Sequence, residues 1–158
     1  MIRYFLADPD HELQRATAGA SGFDLRYAGQ APMHFSGHEC RPVPTGLHLE
    51  LPHGVEAQVR PRGGLAVKYC ITVLNTPGTV DSDYRGEVMV ILMNHAPTTF
   101  VIAPGDRIAQ LVFAPVYVGA RLTNDLGTED AFLQRVASLA ELTKTARGEG
   151  RFGSTGRA

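Results

Sequence analysis

From residue 20 to 118 the chain runs in short apolar stretches cut by Gly, Pro, Asn and Asp. In GLHLELPHGVEAQVRP the alternation is strict. Leu47, Leu49 and Leu51 precede a Pro52–His53–Gly54 break, and Val55, Ala57 and Val59 follow it. Period two on both sides of a Pro/Gly turn predicts two strands joined as a hairpin. EVMVILMN and TTFVIA read as further strands, the first apolar on both faces and therefore central. Short strands at this spacing, punctuated by 17 glycines and 10 prolines, predict a closed barrel or jelly roll rather than βαβ units.

One segment has a different period. In GTEDAFLQRVASLAELTK the apolar positions Phe132, Leu133, Val136, Leu139 and Leu142 follow helical spacing. Thr128 stands at an N-cap position, and Glu129 and Asp130 suit the positive end of a helix dipole. The pattern predicts a helix over 128–143. The chain then closes on ARGEGRFGSTGRA, whose glycines, arginines and lone Phe152 offer nothing from which to build a core.

Composition narrows the function classes. A length of 158 residues suits one domain, and 44% hydrophobic with 20% charged residues is ordinary for a globular chain. A net charge of −1 argues against a general nucleic-acid binder. It leaves room for a small anion held by a few gathered arginines. No apolar run reaches the ~20 residues of a membrane span. The opening MIRYFLADPDHELQ does not read as a secretory signal, so a cytoplasmic location is expected. Cys40 and Cys70 are then expected to be reduced and mostly buried. His34, His38 and Cys40 lie close together in HFSGHEC, but a fourth ligand is missing, so no zinc site is expected.

Candidate chemistry lies in the loops. Pro77–Gly78 is a turn signal that puts Asn75 and Asp81 at the tip of a hairpin, with Asp83 and Tyr84 just before an apolar strand. Alone, these residues also describe an ordinary solvated loop. RPRGGLAVKYC sets Arg60 and Arg62 beside Gly63 and Gly64, whose backbone N–H groups can approach an anion closely. It is not a P-loop. Arg107 and Gln110 open another strand, and Asp24 sits on an early strand after a Gly–Ala–Ser–Gly turn. The tail adds Arg147, Ser154 and Thr155. Pooled, these groups describe a site for a nucleoside polyphosphate, with Mg²⁺ bridging phosphates and carboxylates.

The segments GFDLR, PRGGLA, NTPGTVDSDYRGE, GDRIAQL and RGEGRFGSTG resemble, in order, the five motifs of the homotrimeric dUTPases. The resemblance spans residues 18 to 117 and 141 to 156. It implies an all-β, distorted jelly-roll barrel over 1–145, including the helical insertion near 127–140. A flexible arm, 146–158, would close over the site. It also implies a Mg²⁺-dependent homotrimer, with sites at subunit interfaces, that hydrolyses dUTP to dUMP and pyrophosphate. Such an enzyme would limit uracil in DNA and feed thymidylate synthesis.

By the same resemblance, Asp81 activates the attacking water. Asn75 and the backbone of Gly78, Thr79 and Val80 read the uracil edge. Tyr84 packs under the deoxyribose, and Met89 belongs to the same pocket. Arg62, Gly63 and Gly64 line the phosphates with Gln110 nearby, while Asp24 holds metal-bound waters or orients an arginine. Phe152 stacks on the base, and Arg147, Gly153, Ser154 and Thr155 cover the phosphates.

Three features depart from the family pattern. Gly63 replaces the serine of PRSGLA, Arg151 replaces a glycine of the fifth motif, and the stretch around 127–140 is an insertion. Gly63 leaves open a slow or regulatory homologue that binds nucleotide and turns it over poorly. A relative of the dCTP deaminases is the other alternative, and the intact VDSDY speaks against it.

Overall fold

The computed structural model describes residues 1–116, 133–146 and 148. Eleven strands and one short helix follow in chain order: β1 (Ile2–Leu6), β2 (Phe23–Arg26), β3 (Met33–Phe35), β4 (Cys40–Glu50), β5 (Val55–Arg60), α1 (Gly63–Tyr69), β6 (Ile71–Val73), β7 (Gly78–Val80), β8 (Glu87–Asn94), β9 (Phe100–Ile102), β10 (Arg107–Pro115) and β11 (Leu133–Arg135). They form a five-stranded sheet β11-β1-β4-β8-β6, a four-stranded sheet β2-β10-β5-β7, and the pair β3-β9. The expected all-β architecture holds, and β8 does lie between two neighbours.

The core sits between the two larger sheets. Leu47, Leu49, Val88, Val90 and Leu92 of the first are buried, as are Leu25, Ala57, Val59, Ile108 and Leu111 of the second. Each large aliphatic side chain removed from water contributes about 1.5–3 kcal/mol. Such a cluster holds both sheets face to face without any disulfide.

β4 shows how sequence irregularity is absorbed. Among the described residues its first half, with Pro42 and Pro44, pairs only with β8, while β1 meets β4 at Leu47–Glu50. The prolines, which cannot donate, therefore lie where one edge has no ladder. The register then shifts between Pro44 and His48, around Gly46 at φ +66°. The Glu87 carboxylate accepts the N–H groups of Thr45 (3.1 Å) and Gly46 (2.8 Å) that the irregularity leaves unpaired.

Four expectations need correction. The Pro52–His53–Gly54 turn exists, with Gly54 at φ +84°, but it does not close a hairpin. β4 and β5 enter different sheets. Alternation reports that a strand has a buried face and says nothing of which strand lies beside it. The same holds for the Asn75–Asp81 excursion, because β6 and β7 also belong to different sheets.

The helix expected over 128–143 is not what the described part of that stretch forms. Leu133–Arg135 is a strand parallel to β1, Leu139–Glu141 is a single 3₁₀ turn, and 128–132 lie outside the described residues. Val136 and Leu142 are buried by the fold itself, Val136 while donating its N–H to the Tyr4 carbonyl. Tertiary pairing overrides the helical spacing there. Finally, Cys40 and Cys70 are free thiols, as expected, but exposed rather than buried.

Candidate functional site

Asp24 organises the first group of candidate residues. It lies on β2, paired with Gln110 of β10, which is in turn paired with Arg60 of β5. Cross-strand partners share a face, so all three point away from the core. One Asp24 oxygen faces Arg62 Nε at 3.2 Å, and the other faces Arg107 Nη1 at 3.1 Å. Arg62 Nη1 also donates to the Arg107 carbonyl at 3.0 Å. Two guanidinium groups on one carboxylate leave a net positive charge, which suits a polyanion. At this exposure the pairs add little stability; their effect is to fix two cationic forks.

Gln110 is fixed as well. Its Nε2 donates to the Pro61 carbonyl at 2.9 Å, and Gly22 makes room, since a Cβ there would stand 2.6 Å from Gln110 Oε1. Gly63 and Gly64 open α1 with exposed backbone, in the first turn where no intrahelical carbonyl reaches their N–H groups.

The second group surrounds β7. Thr76–Pro77 is a cis peptide, and Asn75 lies against Gly78, its Nδ2 3.1 Å from where a Cβ would be. Thr79 is exposed between buried Gly78 and Val80. β7 pairs only with β5, so among the described residues it is an edge strand. Asp81 is exposed at its end, and its carbonyl accepts the Tyr84 N–H at 3.1 Å. Tyr84 is half-buried, donates its hydroxyl to the Glu87 carbonyl at 2.9 Å, and lies over Gly86, where a Cβ would approach its hydroxyl oxygen to 2.4 Å. Met89 is on β8, on the half-buried face opposite Val88 and Val90.

Each group is assembled, but the chain keeps their working ends apart. Val80 faces Ala57 on β5, and Gln110 faces Arg60. Three residues of strand, about 10 Å, separate those rungs, and Asp81 lies one residue further away. Arg147, Arg151, Phe152, Gly153, Ser154 and Thr155 lie outside the described residues.

The sequence reading gave one feature little weight and missed another. Arg107 stood out only as a donor at a strand entry; it lies three residues before the outward Gln110, with a register shift between Arg107 and Ala109. Glu50, at the end of β4, carried no sequence signal. It accepts Arg3 Nη1 at 3.0 Å, the Thr143 N–H at 3.0 Å and the Thr143 hydroxyl at 2.9 Å. Burial alone pushes its carboxyl up. The Thr143 bonds and the Arg3 and Arg85 charges outweigh that and hold it below its ordinary value.

A depressed carboxyl contributes stability that is complete above the unfolded-state pKa and is lost as pH falls through the folded one. Amide exchange at Thr143 should therefore stay slow near neutrality. It should accelerate, relative to the core, only on acidification below the usual glutamate range. Protection that does not change with pH would show that Glu50 does not hold this segment.

Comparison with known proteins places these features in context. A family model described as dUTPase matches residues 8–156. The chain is 49% identical over 140 residues to the deoxyuridine 5'-triphosphate nucleotidohydrolase of Chlamydia pneumoniae, covering 89% of this chain and 87% of that one. It is 49% identical over 150 residues to the protein of that name from Anaeromyxobacter sp., covering 94% and 90%. Among solved structures, a dUTPase from Streptococcus mutans superposes with TM-score 0.66 at 27% identity, covering 72% of this chain and 91% of the other. A phage phi11 dUTPase superposes with TM-score 0.68 at 18% identity, covering 82% and 99%.

Proposed function

This chain belongs to the dUTPase family and hydrolyses dUTP to dUMP and pyrophosphate, and we propose that an Asp81-activated water does so by in-line attack on the α-phosphorus. The observation that carries the reading is β7, an edge strand among the described residues, which ends beside Asp81. An edge strand offers backbone N–H and C=O groups in a fixed row. Gly78, Thr79 and Val80, with the Asn75 amide, would pair with uracil there and leave no room for a 5-methyl group. The sugar then falls toward Tyr84 and Met89, and the α-phosphate toward the carboxylate. Asp81 takes a proton from water as the water oxygen bonds to phosphorus. The bond from the α-phosphorus to the bridging oxygen breaks, and pyrophosphate leaves with the electron pair. Arg62, Gln110 and the N–H groups of Gly63 and Gly64 would receive that charge.

Magnesium fits this donor set as an ion carried chiefly by the phosphates. The described residues hold no cluster of three His, Cys, Asp or Glu, so no all-protein cage is available among them. Asp24 keeps a second lone pair on each oxygen beyond its two arginine partners, enough to hold metal-bound water. Bound Mg²⁺ neutralises part of the triphosphate charge. A phage phi11 dUTPase mutant structure is described with a structural Mg(II) ion.

The same reading makes the enzyme a homotrimer with sites shared between subunits. The gap between the Asp81 and Arg62 groups within one chain supports it, as do the exposed apolar side chains Val67, Tyr69, Leu74 and Val101. The arm, 146–158, would bring Phe152 onto the base and Arg147, Gly153, Ser154 and Thr155 onto the phosphates, excluding water. No helix among the described residues is long and apolar enough to cross a membrane, and we place the enzyme in the cytoplasm.

Pyrophosphate release from dUTP, dTTP, dCTP and UTP, with Mg²⁺ and with EDTA, tests the reading. Release confined to dUTP and lost in EDTA is expected, whereas ammonia from dCTP would overturn it. A narrower expectation concerns Gly86→Ala. The added methyl displaces the Tyr84 ring, so discrimination between dUTP and UTP should fall about tenfold, the worth of one well-placed steric or polar contact. Unchanged relative kcat/KM for the two nucleotides would remove Tyr84 from the sugar site.

A further inference from the structure

The loop that carries Asp81 and Tyr84 is joined to residues 141–146 and 148, from far along the sequence. Arg85 makes the junction. Its Nη1 donates to the carbonyls of Ser82 (2.8 Å) and Tyr84 (3.0 Å), tightening the loop on itself. Its Nε donates to the Thr143 carbonyl at 2.8 Å, and its backbone N–H to the Gly148 carbonyl at 2.8 Å. The Thr145 hydroxyl donates to the Asp83 carbonyl and accepts the Gly148 N–H at 3.1 Å. Gly148 adopts φ +54°, the left-handed turn that returns the chain toward Arg85. On the other side Glu50 holds Thr143, and Arg3 Nη2 donates to the Glu141 carbonyl at 2.8 Å. The strap is thus tied to β1, to β4 and to the loop, around a cleft of about 290 Å³ lined by Arg85, Leu142, Thr143 and Thr145.

The Arg85 guanidinium meets three carbonyls with two of its nitrogens, Nη1 on Ser82 and Tyr84 and Nε on Thr143, as a planar fork with fixed donors can. None of the steps assigned to the reaction uses Arg85. We propose that Arg85 is a positioning residue that makes loop 81–85 and the strap of residues 141–146 and Gly148 one unit, so that the way the strap is tied sets the aim of the Asp81 carboxylate. The inference rests on the reading of Asp81 as the base. A strap that comes away from the loop would then misplace the base.

The test compares the full chain with Arg85→Gln, Thr145→Val and the double variant. It reads amide exchange without nucleotide and steady-state hydrolysis of dUTP. Thr145→Val removes the bonds to the Asp83 carbonyl and the Gly148 N–H and leaves the Arg85 guanidinium in place, yet exchange should accelerate in both 81–85 and 143–148, as it should in Arg85→Gln. Each single variant should lower kcat about fivefold with KM little changed, the signature of a misaimed group rather than lost binding. The double variant should be no slower than Arg85→Gln, because both break the same junction. Exchange that accelerates only around the substituted residue, kcat effects that multiply, or an unchanged kcat would each overturn the proposal. If Arg85→Gln does not fold, Thr145→Val decides the exchange comparison alone. A parent chain that leaves dUTP intact would sink the functional reading, while the exchange result would still decide whether loop and strap move as one.

Discussion

Replacing Asp81 with Asn should lower kcat for dUTP about a thousandfold and leave nucleotide affinity nearly unchanged. A positioned general base contributes on the order of 10²–10⁴ in rate, and a carboxamide of the same shape has no basic oxygen to take the proton. Asp81 is exposed, and its backbone carbonyl accepts the Tyr84 N–H across the turn, a bond the substitution keeps. Exposed isosteric changes of this kind stay within about 0.5 kcal/mol, so the thermal midpoint should move by no more than a few degrees. Calorimetric titration with a non-hydrolysable imido analogue of dUTP checks affinity, and pyrophosphate release checks rate. Residual turnover above about a tenth of the parent value would give the base to another group. A matching collapse in affinity would make Asp81 a binding residue instead.

What the sequence made legible divides along a physical line. Strand positions such as Leu47, Leu49, Ala57 and Val59 announce themselves because burial alternates with period two, and their burial follows. Sheet membership does not announce itself. The turn at Pro52–His53–Gly54 is compatible with a hairpin and with a crossing between sheets, and only long-range pairing decides between them. The segment around Leu133 shows the converse error. A short apolar run carries too few turns to specify a helix by itself, and β1 offers it a ladder.

At the candidate site, Asp24, Arg62 and Gln110 were readable as separate donor-rich loops and through their likeness to known motifs. The meeting of Arg62 and Arg107 on the Asp24 carboxylate, with Gln110 on the neighbouring rung, follows from the β2–β10–β5 register. The clasp of Arg3, Glu50, Arg85 and Thr143 was not readable. It joins four distant stretches largely through backbone carbonyls, and a carbonyl carries no residue identity for a sequence pattern to detect.

Gly63→Ser should raise kcat about 10- to 100-fold. A hydroxyl at this position would donate to the phosphate chain as charge develops on the leaving pyrophosphate, and such a bond is worth about 1–3 kcal/mol. The fold is ready to accept it. Gly63 is the first residue of α1, its backbone is outside the left-handed region, and a Cβ there would meet nothing within 4 Å. Neighbouring Gly64 is equally open, so the serine rotamer is chosen by the ligand and not by packing. Removing one of two consecutive glycines also narrows the unfolded ensemble, so the thermal midpoint should rise slightly if it moves at all.

Because the hydroxyl meets the charge mainly in the transition state, KM should change far less than kcat. Pyrophosphate release from dUTP by the parent and variant chains, measured side by side, separates two enzymes. A slow parent accelerated by serine is a dUTPase limited by its leaving-group donors, one that binds nucleotide longer than it needs to for hydrolysis. A fast parent indifferent to serine would mean that the N–H groups of Gly63 and Gly64, with the two arginines fixed by Asp24, already carry the full charge of the leaving pyrophosphate.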